Sequence, residues 1–143
     1  MADCGLTDNE AAVRPGIGQM DAQSRELERR TKAFALRILA FVAGFPKTLV
    51  SDSVGYQLVR CGPSVGANYR EANRAESRDD FIHKIGIIEK EASETCYWLE
   101  LCEEAGIGDA AERQWLLKES TELLAIFTRI GKTAKSRYRK PRL

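Results

Sequence analysis

The side chains able to carry chemistry in this 143-residue chain are few, and their spacing argues against most reactions they could support. There is one histidine, His83. Asp80-x-x-His83 echoes one part of a di-metal centre in a helical bundle, but such a centre needs a Glu-x-x-His pair from each of two helices and an inward glutamate from each of two others. His83 also follows the apolar Phe81 by two residues, which on a helix turns it away from the core. No metal and no cofactor is therefore expected. A Ser-His-Asp or Cys-His arrangement would have to use the same histidine, and no nucleophile elbow or activated thiol accompanies it. Phosphate-cradling loops of the G-x-G-x-x-G or Walker type are absent from the sequence. Glu89, Glu91, Glu94, Glu100, Glu103 and Glu104 could pair as acid and base, but a solvated or intersubunit face explains them with fewer assumptions. Cys4, Cys61, Cys96 and Cys102 form no C-x-x-C pair, and three of them lie near apolar helical positions, as buried reduced thiols do. The residue inventory does not motivate an enzyme.

Charge is more informative. The formal net charge of +1 conceals an asymmetry: residues 1–24 hold four acids and one arginine, whereas residues 129–143 hold seven basic residues and no acid. A basic end on a mildly acidic body suits a polyanionic partner. The candidate nucleic-acid contacts are Arg129, Lys132, Lys135, Arg137, Arg139, Lys140 and Arg142, with Tyr138 available to stack on an unpaired base. Arg70, Arg74 and Arg78, four residues apart, make a second basic ridge. Both sets have plainer explanations: cations at a helix C-terminus complement the macrodipole, and arginines beside Glu71 and Glu76 can form exposed ion pairs.

The elements that must position these groups are helical. Residues 1–24, with Gly5, Pro15, Gly16 and Gly18 and little apolar periodicity, are expected to form a flexible acidic tail. Residues 25–137 read as a four-helix bundle and 138–143 as a basic C-terminal tail. Leu27, Thr31, Phe34, Ile38, Phe41 and Phe45 recur at 4-3-4-3-4 before Pro46 stops the first helix. Val54, Leu58, Cys61, Val65, Asn68, Ala72 and Ala75 form the stripe of a second helix that starts near Thr48 to Ser51. Pro63 should kink that helix or break it in two. Asn68 is the polar member of the stripe, with Glu71 further along the same side, and a polar group at a core position typically pins register.

A Ser77-x-x-Asp80 box opens a third helix, striped by Phe81, Ile85, Ile88, Ala92, Cys96 and Leu99 and closed at Gly106. Asp109 caps the fourth, whose stripe is Leu116, Ser120, Leu123, Phe127, Ile130 and Ala134. The expected fold class is all-α, an antiparallel up-down-up-down four-helix bundle. Leu117, Leu124, Ile107, Ile87 and Trp98 lie off the stripes, which fits either a wide core face or a subunit interface. The apolar runs are too short to span a bilayer and no secretory signal is seen, so a cytoplasmic protein without membrane contact is expected.

Cys61-Gly62-Pro63-Ser64-Val65-Gly66-Ala67-Asn68-Tyr69-Arg70-Glu71-Ala72, Asp80-Phe81-Ile82-His83-Lys84-Ile85, Lys90-Glu91-Ala92 and Tyr97-Trp98-Leu99 together resemble bacterial four-helix-bundle proteins encoded in intervening sequences of large-subunit ribosomal RNA genes. The likeness covers roughly residues 29–137. It implies an antiparallel bundle that assembles as a ring-like homopentamer, associates with RNA and has no enzymatic activity. The fold also resembles the accessory variability protein of diversity-generating retroelements, which implies as an alternative a scaffold that docks a protein partner such as a reverse transcriptase. Within the matched segments Asn68 and Glu71 carry over as structural positions. Pro63 departs from the helix-friendly residue usual in the family, and the acidic body departs from a surface that is basic throughout.

Overall fold

The computed structural model describes residues 20–137, and within them four helices follow one another: α1 (Ala22–Ala43), α2 (Leu49–Ala72), α3 (Arg78–Ala105) and α4 (Ala110–Arg137). No strand forms among the described residues. Each helix begins at a side chain that accepts a hydrogen bond from an otherwise unpaired backbone amide. Asp21 accepts from the Ser24 amide at 2.7 Å, Thr48 from Ser51 at 3.1 Å, Ser77 from Asp80 at 3.1 Å and Asp109 from Glu112 at 2.9 Å. The cap at Asp21 starts α1 three residues before Arg25, where apolar periodicity alone placed the start. α3 ends at Gly106, whose φ of 68° is the left-handed conformation that glycine adopts without a Cβ clash.

Contacts between helices fix the topology. Thr31 lies against Gly66, Ile38 against Gly62 and Val42 against Gly55, so α1 and α2 run antiparallel. Arg60 meets Glu94 while Lys84 approaches Glu71, so α2 and α3 do too. Cys96 donates to Ser120 and Arg113 to Glu103 across α3 and α4. Arg37 bonds Glu112 and Arg30 bonds Glu119, which closes the antiparallel bundle between α4 and α1. That last seam is the most sparsely packed of the four.

The core is built from Phe34, Ile38, Leu58, Val65, Ile85, Ile88, Leu99, Leu116, Leu123 and Phe127, all essentially inaccessible to water. Removing about 25 cal/mol of unfavourable hydration per Å² of apolar surface makes this stripe the main force holding the helices together. Glycines 55, 62 and 66 let α2 approach α1 closely, because a Cβ at Gly55 would come within 2.8 Å of Val42. Below the bundle, the α3–α4 loop is tied down by Arg113, whose guanidinium donates to the carbonyls of Ile107 (3.0 Å) and Gly108 (2.9 Å).

Several sequence expectations shift: α2 ends at Ala72, which leaves Ala75 outside the helix, and the buried place after Phe127 on α4 falls to Gly131 where Ile130 was expected. α2 continues through Pro63 rather than breaking. The Val59 carbonyl, which loses its amide donor to the proline ring, belongs to an exposed residue, so water can take the place of that donor. The inward position expected for Asn68 belongs to Tyr69, which is buried and meets the Phe127 ring edge-on at 5.2 Å. Asn68 is half-buried, and its amide donates to the Ser64 carbonyl of its own helix at 2.8 Å.

Candidate nucleic-acid interface

An antiparallel bundle brings the start of α1, the end of α2, the start of α3 and the end of α4 to one end of the molecule. The near end thus gathers groups far apart in sequence: Arg70 and Arg74 at the close of α2, Arg78 opening α3, and Arg129, Lys132, Lys135 and Arg137 over the last turns of α4, all exposed. Spacing of three keeps Arg129, Lys132 and Lys135 on one strip of α4. Among the described residues, these three and Arg137 form no ion pair with a described carboxylate, which leaves their charge available to an outside anion. Arg139, Lys140, Arg142 and Tyr138 lie outside the described residues, as does Cys4.

The near end is not uniformly basic. Asp21, Glu26, Glu28, Glu71, Glu76, Asp79 and Asp80 share it, and Glu26 holds Arg29. Lys84 sits 3.7 Å from Glu71 and 3.8 Å from Asp80. The far end has the opposite balance, with Asp52, Glu100, Glu103, Glu104, Asp109 and Glu112 against Lys47 and the buried Arg113. The molecule is therefore polarised along its length, with its exposed positive charge gathered towards the α4 terminus.

Glu71 falls on the α2–α3 seam beside Lys84, and Asn68 bonds back to Ser64 of its own helix, so neither belongs to the basic strip of α4. On the same seam Arg60 bonds Glu94 and holds its carboxyl below the usual carboxylate range. Burial, reinforced by the nearby Glu94 charge, pushes Glu91 up, and its Oε2 is enclosed with no hydrogen-bond partner, 3.9 Å from Arg60. The glutamates of α3 thus divide three ways: Glu91 and Glu94 on this seam, Glu89 and Glu103 half-buried towards α4, and Glu100 and Glu104 exposed.

His83 is exposed, and among the described residues no group of His, Cys, Asp and Glu is arranged to hold a metal. Cys61, Cys96 and Cys102 are buried free thiols whose pKa values burial raises, to about 11 for Cys102. Among the described residues no helix is long and apolar enough to cross a membrane.

Sequence reasoning passed over two groups: the glycine face of α2, which has no charge or hydrophobic signal, and Arg113, which reads as a surface cation. The ladder of Arg30 and Arg37 against Glu119 and Glu112 was legible only as matching heptad intervals on two distant helices.

Residues 24–129 match the 23S rRNA-intervening sequence protein family. The chain belongs to this family. A crystal structure from Bacteroides thetaiotaomicron, described as a protein with unknown function from the S23 ribosomal protein family, is 35% identical to it. The two superpose with a TM-score of 0.65, over 74% of this chain and 98% of that one. No match is found among curated proteins. Membership of the 23S rRNA-intervening sequence protein family agrees with four helices and no described strand.

Proposed function

We propose that this protein is a non-enzymatic, RNA-associated homo-oligomer of the cytoplasm, a homopentamer whose basic ends form one multivalent surface for structured ribosomal RNA. The observation that carries this reading is the strip Arg129, Lys132, Lys135 and Arg137, exposed and unpaired with any described carboxylate, at the near end of a polarised bundle. The family's name supports ribosomal RNA as the polyanion. Five copies multiply the strip without a new type of contact, and closely linked sites raise avidity.

The test is binding of structured ribosomal RNA across a salt series, comparing the full chain with a variant carrying Arg129→Gln, Lys132→Gln, Lys135→Gln and Arg137→Gln. All four side chains are exposed, so helicity should be unchanged by circular dichroism. Log affinity should fall linearly with log salt, by roughly 0.7 to 0.9 per phosphate contact, and the variant should show a flatter line. An unchanged slope removes the α4 terminus from the reading. Absence of binding by the full chain at moderate salt transfers the function to a protein partner, with the bundle as scaffold.

A further inference from the structure

Contacts set the register of α3 against α4. Glu89 lies against Gly131, Cys96 donates to Ser120 and Arg113 donates to Glu103. Lys90 is therefore level with Arg129, His83 with Lys135 and Tyr97 with Lys118, to within about one helical turn. All six are exposed. Lys118, Arg129, Lys132 and Lys135 extend along α4 for roughly 25 Å, at about 1.5 Å per residue, and Lys90 stands across from them on α3. Among the described residues none of these five cations forms an ion pair.

Within this row lies an open groove of about 540 Å³, lined by Glu89, Lys90, Ser93, Glu94, Tyr97 and Leu124. Tyr97 is 53% exposed although it is aromatic. Its ring meets Trp98 in a T-shaped contact, with centroids 5.1 Å apart, so it is held in place while much of it stays open to solvent. The acids nearby do not cancel the cations. Glu94 is bonded by Arg60 and accepts from the Trp98 indole at 3.3 Å. Glu89 is half-buried against α4, Glu100 is exposed at the level of Lys118, and Asp79 lies past His83 at the other end. Along the row itself the five cations therefore outnumber the two acids not held in an ion pair, Glu89 and Glu100.

We infer that the α3–α4 groove is a base-stacking subsite for a single-stranded segment of RNA. Tyr97 is the platform, Lys118 stands beside it, and Lys90 and Arg129 take phosphates roughly 10 Å further along the strand. This inference rests on the RNA-associated reading and specifies the form of RNA taken. In a duplex the base faces are hidden in the stack, so an exposed ring on a shallow groove has nothing to stack on. An unpaired base presents its whole face to the tyrosine, and a basic groove that tracks the backbone beside an aromatic platform is how proteins hold single strands. Structured RNA supplies such segments as loops and bulges.

The experiment measures binding of two dye-labelled probes by fluorescence anisotropy: a short oligouridylate, which does not pair with itself, and a fully paired RNA duplex of mixed sequence. The full chain is compared with Tyr97→Ala, Tyr97→Phe and Lys90→Gln, with helicity and mass checked in each. Tyr97→Ala should weaken the single strand by roughly 5- to 100-fold, the loss of one base–aromatic stack, and leave the duplex unchanged. Tyr97→Phe keeps the π-face and should bind as the full chain does. Lys90→Gln should lower the slope of log affinity against log salt by roughly 0.7, one single-strand phosphate contact. Tyr97→Leu, which keeps bulk without the π-face, replaces Tyr97→Ala if the smaller residue loosens the helix. Equal losses for strand and duplex, or no loss for the strand, overturn the stacking subsite. A full chain that binds structured ribosomal RNA but not the oligouridylate overturns the single-strand assignment and leaves the RNA-associated reading intact. A full chain that binds none of the three RNAs overturns that reading and the subsite with it.

Discussion

Replacing glycine by alanine inside these helices should change stability in opposite directions depending on what faces the new methyl group. An exposed helical glycine costs about 1 kcal/mol relative to alanine. At Gly86 nothing lies within 4 Å of a built Cβ, so Gly86→Ala should gain that amount and raise Tm by about 4 °C. At Gly66 the same methyl would stand 3.1 Å from Thr31 Oγ1, 3.2 Å from its Cβ and 3.3 Å from its backbone carbonyl carbon. Thr31 cannot yield easily: it is fully buried, and its hydroxyl donates to the carbonyls of Leu27 or Glu28 at 2.9 and 3.0 Å. Overpacking costs about 1 to 3 kcal/mol, so the net effect of Gly66→Ala is a loss of about 1 kcal/mol. Gly62→Ala meets the Ile38 side chain at 3.1 Å, with no backbone atom among its closest neighbours, and should fall between the two. Urea midpoints at one fixed protein concentration read the order directly, provided the slope m is unchanged. Equal stabilisation by Gly66→Ala and Gly86→Ala would refute the idea that glycine sets the spacing of α1 and α2.

Glu91→Gln should stabilise the protein by up to about 1 kcal/mol at pH 7, because the folded state raises the carboxyl pKa and so disfavours its charge; the gain should vanish in acid, where Glu91 is itself protonated. Urea titrations at pH 4 and pH 7 check this. Glu112 has the opposite sign. The hydrogen bonds from Arg37 depress its pKa, so its contribution is present above about 4.5 and disappears as pH falls through the lower folded value. Arg37→Ala should flatten that acid limb by well under 1 kcal/mol on the order expected of an exposed pair, as thermal melts between pH 2.5 and 6 would show. In a Cys4→Ser background, the three remaining thiols should resist a thiol reagent at pH 8 until denaturant is added, since they are buried and hold their protons. Rapid labelling of any of them in buffer would contradict that.

The helices were legible because the core stripes, capping residues and the glycine that ends α3 all signal locally. Ser77, Asp109 and Gly106 act where the sequence places them. The register error on α2 has a physical origin. Asn68 and Tyr69 are adjacent, so heptad counting alone selects Asn68, while the large ring of Tyr69 fills the space beside Phe127 and takes the interior position. Pro63 reads as a break because local rules count only its missing amide; the carbonyl it leaves unpaired lies where solvent can reach it. The candidate interface was partly visible. Seven basic residues near the C-terminus stand out in any composition count, but the placing of Arg129, Lys132, Lys135 and Arg137 at the same end as Arg70, Arg74 and Arg78 depends on the antiparallel fold. Ion pairs between α1 and α4 join residues 75 to 92 positions apart and carry no local trace.

The sparse α1–α4 seam makes the bundle a strip of three tightly packed joints, rolled into a tube and fastened along the fourth edge by charge. Arg30 grips Glu119 and Glu122, and Arg37 grips Glu112 while its guanidinium carbon lies 3.4 Å from the centre of the Trp115 ring. Apolar joints are indifferent to ionic strength, whereas partly exposed ion pairs weaken as the Debye length shrinks to about 8 Å in physiological salt. Breathing of the tube should therefore begin at this edge, with α1 and α4 parting while α2 and α3 stay joined. Amide exchange along those two helices would quicken with added salt before the middle pair responds.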